Sequence, residues 1–163
     1  METSGNAQAL MDVVLRFLNE DQWNYQKLKE QPGIRAGFRG ERGTWVCYAR
    51  VDEENQRFLF YSLMGLNILP LYRPNVLDYL ARVNYRLPVG NFDMDPASGE
   101  IRFKIGVETP NGELSVAMVR AMAYTTVRAM DYYFPGVVAV VHSGLSPEAA
   151  LARVETQPEG SLS

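Results

Sequence analysis

Leu10, Val13, Val14, Phe17 and Leu18 recur at helical spacing and predict an amphipathic helix with one face on a core. Ser4 or Asn6 can cap its start, and Glu20 with Asp21 predict its end, because acids are unfavourable at a helix C-terminus. Trp23 and Tyr25 follow as bulky packing residues. Over residues 25–64 the period shortens to two, which predicts a meander of strands. Ile34, Ala36 and Phe38 alternate with Arg35, Gly37 and Arg39, and Trp45, Cys47, Ala49 and Val51 alternate with Thr44, Val46, Tyr48 and Arg50. After a polar turn at 52–56, Phe58, Leu59, Phe60, Tyr61, Leu63 and Met64 form a strand that is apolar on both faces. Such a strand needs cover on two sides. Helices can supply one, which leaves the other for a partner subunit or a ligand.

Pro74 suits the first turn of a second helix carrying Val76, Leu77, Leu80 and Val83, and Pro88 stops that helix near Leu87. Gly90 then permits a sharp reversal. Phe92 and Met94 alternate with Asn91, Asp93 and Asp95, and Ile101, Phe103, Ile105 and Val107 alternate with Glu100, Arg102, Lys104, Gly106 and Glu108. If both apolar rows share a face, 92 lies opposite 103 and 94 opposite 101, closing a hairpin over a short loop at 96–99. Asp93 then faces Arg102 as an exposed pair of little energetic weight. Pro110, Asn111 and Gly112 break the chain before a long helix over 114–134. Its stripe of Leu114, Ala117, Met118, Ala121, Met122, Thr125, Ala129 and Met130 reads as core, although methionines can also form an adaptable binding surface. Pro135 and Gly136 end it. Residues 137–141 are helix or strand on periodicity alone, and Ser146 and Pro147 start a short helix through Val154. One domain over 1–155 with a disordered tail at 156–163 is expected.

The chain is 47% hydrophobic and 21% charged, as a folded domain is, and its net charge of −3 opposes general nucleic-acid binding while leaving room for a local basic patch. Cys47 stands alone, which excludes an internal disulfide and a cysteine metal cluster. The N-terminus has no basic region before its apolar residues, Asp12 and Arg16 interrupt them, and no apolar run spans a bilayer. A cytoplasmic protein is expected. The segment GFRGERG sets Gly37, Gly40 and Gly43 beside Arg39 and Arg42, but strands flank it where a phosphate loop needs a helix start, so a hairpin turn is the reading. His142 is the only histidine and sits at an element end. Asp93 with Asp95, and Glu53 with Glu54, lie on a strand face and in a turn, where nothing tunes a carboxylate. The group Asp52, Glu53, Glu54, Asn55 lacks EF-hand spacing. No catalytic, cofactor or metal residue is expected.

The run LPVGNFDMD followed by GEIRFKI resembles the core signature of the YbjN-type bacterial sensory-transduction regulator family, whose fold resembles that of type III secretion chaperones. The resemblance extends over about residues 7–155, with residues 84–104 the distinctive part. It implies an α+β fold, a helical state for 137–141, and a non-catalytic regulatory or chaperone-like role. The expected architecture is an antiparallel β-sheet with helices on one face, in the order α-β-β-β-α-β-β-α with a short terminal helix. Two functions compete. One is a protein-binding module acting as a homodimer through an apolar surface, with Trp45, Tyr48, Phe58, Phe60, Met118 and Met122 facing a partner, and with no nucleic acid or membrane involved. The other is a sensing or enzymatic domain that holds an anionic small molecule with Arg39 and Arg42 on the glycine loop.

Overall fold

The structure, a computed structural model, describes residues 4–52, 54–111 and 113–156, with side chains from Leu10 onward. The expected tail beyond Thr156 lies outside the described residues. The order is α1 (Ser4–Glu20), β1 (Tyr25–Lys27), β2 (Gly33–Arg39), β3 (Thr44–Asp52), β4 (Arg57–Asn67), α2 (Arg73–Arg86), β5 (Asn91–Met94), β6 (Glu100–Glu108), α3 (Val116–His142) and α4 (Pro147–Glu155). The strands form one antiparallel sheet in the order β1-β2-β3-β4-β6-β5. Its sixth strand, β1, is too short to show a period in sequence and exists by pairing Tyr25 with Ala36 and Lys27 with Ile34.

Alternation decides which face is core. Trp45, Cys47, Ala49 and Val51 of β3, and Phe58, Phe60 and Met64 of β4, are buried beneath the helices with Phe92, Ile101 and Phe103 of the hairpin. The hairpin has the register read from its alternation, Phe92 opposite Phe103 and Met94 opposite Ile101. Gly90 turns at φ +72, a region that costs glycine little. Asp93 faces Arg102 at 2.7 Å, with both side chains about a third or more exposed, and Lys104 joins them at 3.2 Å. Asn84 of α2 accepts from the Phe92 amide and donates to the Phe92 carbonyl, both at 2.8 Å. That side chain occupies the outer edge of β5 as a strand would.

α3 departs from expectation at Pro135, where the helix continues to His142. The missing amide donor costs roughly 3 kcal/mol. Against it, Val137, Ala139 and Val140 become buried, and each valine contributes roughly 1.5 kcal/mol or more. Gly136 lets α2 come close, since a Cβ there would overlap the Tyr79 hydroxyl, which donates to the Tyr133 carbonyl at 2.8 Å. The buried face of α3 is also rotated from the expected stripe. Val119, Ala123, Thr126 and Val127 point inward beside Met122, Ala129 and Met130, whereas Ala117 and Ala121 are exposed and Met118 and Thr125 half-buried. Valines packed in the core set the rotation and leave the small and flexible residues on an outer flank.

α1 ends at Glu20, and the acids at its C-terminus are compensated by α3. Arg120 reaches Glu20 at 2.8 Å and Asp21 at 2.9 Å, and the Tyr124 hydroxyl donates to Asp21 at 2.9 Å.

Candidate protein-binding face and groove

β4 is apolar on both faces, and the described chain covers one of them. On the face away from the helices the register sets Val46 opposite Leu63, Tyr48 opposite Tyr61 and Arg50 opposite Leu59, all half-buried. The two tyrosine rings stack at 5.1 Å and 16°. The guanidiniums of Arg50 and Arg102 lie 5.9 Å from the Tyr61 ring. Burial pushes the Tyr61 phenol above its ordinary value, while the two arginines pull it back.

This face runs into a groove of about 820 Å³ at the sheet's short side. β5 stops at Asn91 opposite Lys104, so residues 105–108 of β6 have no strand neighbour on that side among the described residues. Their unpaired backbone groups are an edge that an extended chain can join. Leu59, Arg102 and Lys104 border the groove from the sheet, Met118, Ala121 and Thr125 from α3, and Val89, which is 53% exposed, from the turn before β5.

The six side chains expected to face a partner divide. Trp45, Phe58 and Phe60 are 2%, 0% and 1% exposed and lie in the core under the helices, so their inclusion in a partner surface is corrected. They occupy the inward-pointing positions of the alternation. Tyr48 lies on the open face, Met118 lines the groove, and Met122 is in its floor at 8% exposure. Leu59, Tyr61 and Leu63 were not singled out, although the signal was the second apolar row of β4.

The glycine loop is a hairpin turn, closed by the Gly40 amide on the Gly43 carbonyl at 2.8 Å. The amides of Glu41 and Arg42 do converge on an anion, which is the chain's own Asp131 at 3.0 and 3.1 Å. The Trp45 indole donates to the same carboxylate at 2.9 Å. Arg39 and Arg42 are exposed and face solvent separately from that clamp. His142 is exposed at the end of α3. The Asp52 carboxylate accepts from the amide and side chain of Asn55, and among the described residues no three acidic, histidine or cysteine groups gather where a metal could bind. Among those residues no helix is long and apolar enough to cross a membrane.

A family model described as "YbjN: Putative bacterial sensory transduction regulator" matches residues 11–138. The chain belongs to the YbjN family. Among solved structures it is similar to the ExsC–ExsE complex, at 12% identity and TM-score 0.56, with 78% of this chain and 92% of that one covered. It is similar to the HopA1–SchA chaperone–effector complex at 13% identity and TM-score 0.50, covering 77% and 92%. It is also similar to the crystal structure of YbjN from E. coli at 9% identity and TM-score 0.50, covering 88% and 92%. Among curated proteins the comparison finds no match. At these identities the likeness concerns the fold, and that fold is the α+β, type III secretion chaperone-like one expected.

Proposed function

We propose that this chain is a non-catalytic, cytoplasmic protein-binding module, chaperone-like or regulatory, that works as a homodimer. The observation that carries the reading is the helix-free sheet face: a central strand places the half-buried Leu59, Tyr61 and Leu63 where no described element covers them, and the row continues into an open groove beside a strand edge unpaired among the described residues. Apolar rows of this kind are hidden by partners. The family's regulatory description and a neighbour solved as a chaperone–effector complex support a polypeptide as that partner.

The homodimer has a separate surface to use. Leu77, Ala81 and Tyr85 fall at i, i+4 and i+8 on the outside of α2, next to the exposed Leu69 and Leu71, and Tyr85 is 93% exposed. Two such stripes can meet across a two-fold axis. That arrangement leaves the sheet face and the groove free.

The test is photo-crosslinking in bacterial cells from a benzoylphenylalanine placed at Leu59 or Met118, with Glu148 on α4 as the control position. Discrete adducts to other polypeptides are expected from the first two positions, and only the self-crosslinked dimer from the third, which shares a cleft with Ala81 and Tyr85. Equal labelling at all three positions, or none, would contradict the assignment.

A further inference from the structure

We infer that the helix-free sheet face takes an acidic polypeptide segment; the inference rests on the protein-binding reading above and specifies the partner's chemistry. The strand register lines up Arg35, Tyr48, Tyr61 and Lys104 across four strands on that one face. The row is a cation, two stacked aromatics and a cation. Arg39 and Arg50 flank it on β2 and β3.

The acids on this face are already engaged or distant. Asp93 holds Arg102 and Lys104, Glu108 holds Arg57 at 2.7 Å, and Asp52 accepts from Asn55. Glu100, opposite Asn67, acts on Tyr61 and Arg102, and Glu54 lines the same surface depression as Arg50 without an ion pair to it among the described residues. Arg35, Arg39 and Arg50 are therefore left without a carboxylate among the described residues. The Nε of Arg50 is buried and has no acceptor among the described residues, which is rare for a charged donor.

Charge selects among occupants. A second copy would bring the same unpaired arginines against these across a two-fold axis, which is repulsive. A single-stranded nucleic acid needs open aromatic faces for its bases, but Tyr48 and Tyr61 stack on each other with guanidiniums beside them. An acidic segment meets both demands: its carboxylates match the arginine forks, and its apolar side chains rest on Leu59 and Leu63 beside the bare backbone of Gly37, where a Cβ would meet open space.

The experiment pans a random dodecapeptide phage library against the full chain, then measures the best enriched sequence as a fluorescein-labelled peptide by anisotropy. Enrichment of Asp and Glu is expected, with affinity that falls as salt rises. Binding should weaken at least tenfold for the Asn/Gln version of the peptide, and likewise for Arg35→Ser/Arg50→Ser. Arg35→Glu/Arg39→Glu, at exposed positions, gives the same loss with folding checked by circular dichroism. Enriched peptides without acidic bias, or binding that survives both variants, would overturn the inference. An uncharged apolar peptide that needs Met118 would overturn it while leaving the protein-binding function standing. Enrichment of nothing, together with no position-specific crosslinks, would remove both. Tighter binding of dT20 than of the peptide, lost in the same variants, would make the face a nucleic-acid platform.

Discussion

Replacing Asp131 by alanine removes one carboxylate that three donors from the β2–β3 hairpin share. Those donors are the Trp45 indole at 2.9 Å and the amides of Glu41 and Arg42 at 3.0 and 3.1 Å. Trp45 is 2% exposed and Asp131 8%, so the orphaned indole N–H costs roughly 1–3 kcal/mol. Glu41 and Arg42 are exposed, so their amides recruit water, and losing both bonds adds about 1 kcal/mol together. The sum is about 2–4 kcal/mol, or roughly 5–15 °C in Tm for a domain of this size. Urea unfolding followed by tryptophan fluorescence measures it. Asp131→Asn keeps one acceptor oxygen and should lose about half as much. A double-mutant cycle with Trp45→Phe should show coupling of about 1–2 kcal/mol. The alanine variant also exposes the loop amides to outside anions, so sulfate should stabilise it by more than it stabilises the wild type. A loss below about 0.5 kcal/mol would refute the claim that this carboxylate fixes the loop.

Gly136→Ala drives a methyl group into the Tyr79 hydroxyl and should cost about 1–3 kcal/mol by urea denaturation; a neutral result would mean that α2 and α3 are not in close contact there. If the proposed dimer forms through α2, Leu77→Glu/Tyr85→Glu should turn it into a monomer by light scattering with its circular dichroism unchanged, and an undisturbed dimer would place the interface elsewhere. Burial pushes the Cys47 thiol up to about 11, so iodoacetamide at pH 8 should label it only as urea unfolds the chain; rapid labelling of folded protein would contradict its placement. The Arg120 guanidinium bonded to Asp21 holds that carboxyl below its ordinary value. A lowered carboxyl contributes stability above its unfolded value and loses it as pH falls through the folded one. Arg120→Met should therefore lower the urea midpoint at neutral pH and converge with wild type as pH falls through the lowered folded value of Asp21; a pH-independent difference would exclude the ion pair as its source.

Much of the architecture was legible because period and punctuation agreed. Pro88 ended α2, Gly90 turned the chain, and the alternation from Phe92 to Val107 fixed the hairpin register to the residue. Pro135 misled because local propensity favours a helix end there, and only the packing of Val137 and Val140 under the fold offsets it. The site was half legible. That β4 needed two covers followed from its composition, but assigning Trp45, Phe58 and Phe60 to the open side required knowing which parity faced the helices. Size pointed to the large aromatics, and the fold placed them inside. The Asp131 clamp joins residues about 90 positions apart, and no local spacing announces it. Met118 shows the same limit, because its stripe read as core before Val119 and Val127 set the helix rotation that leaves it in the groove.

Hydrogen exchange at the backbone of residues 105–108, compared with and without the polypeptide recovered by crosslinking from Leu59, tests the central claim most directly. If that polypeptide occupies the open face and groove, these amides exchange more slowly in its presence while the outer side of α2 and α4 is unchanged. Slowing confined to α2 and α4, with residues 105–108 unaffected, would contradict it.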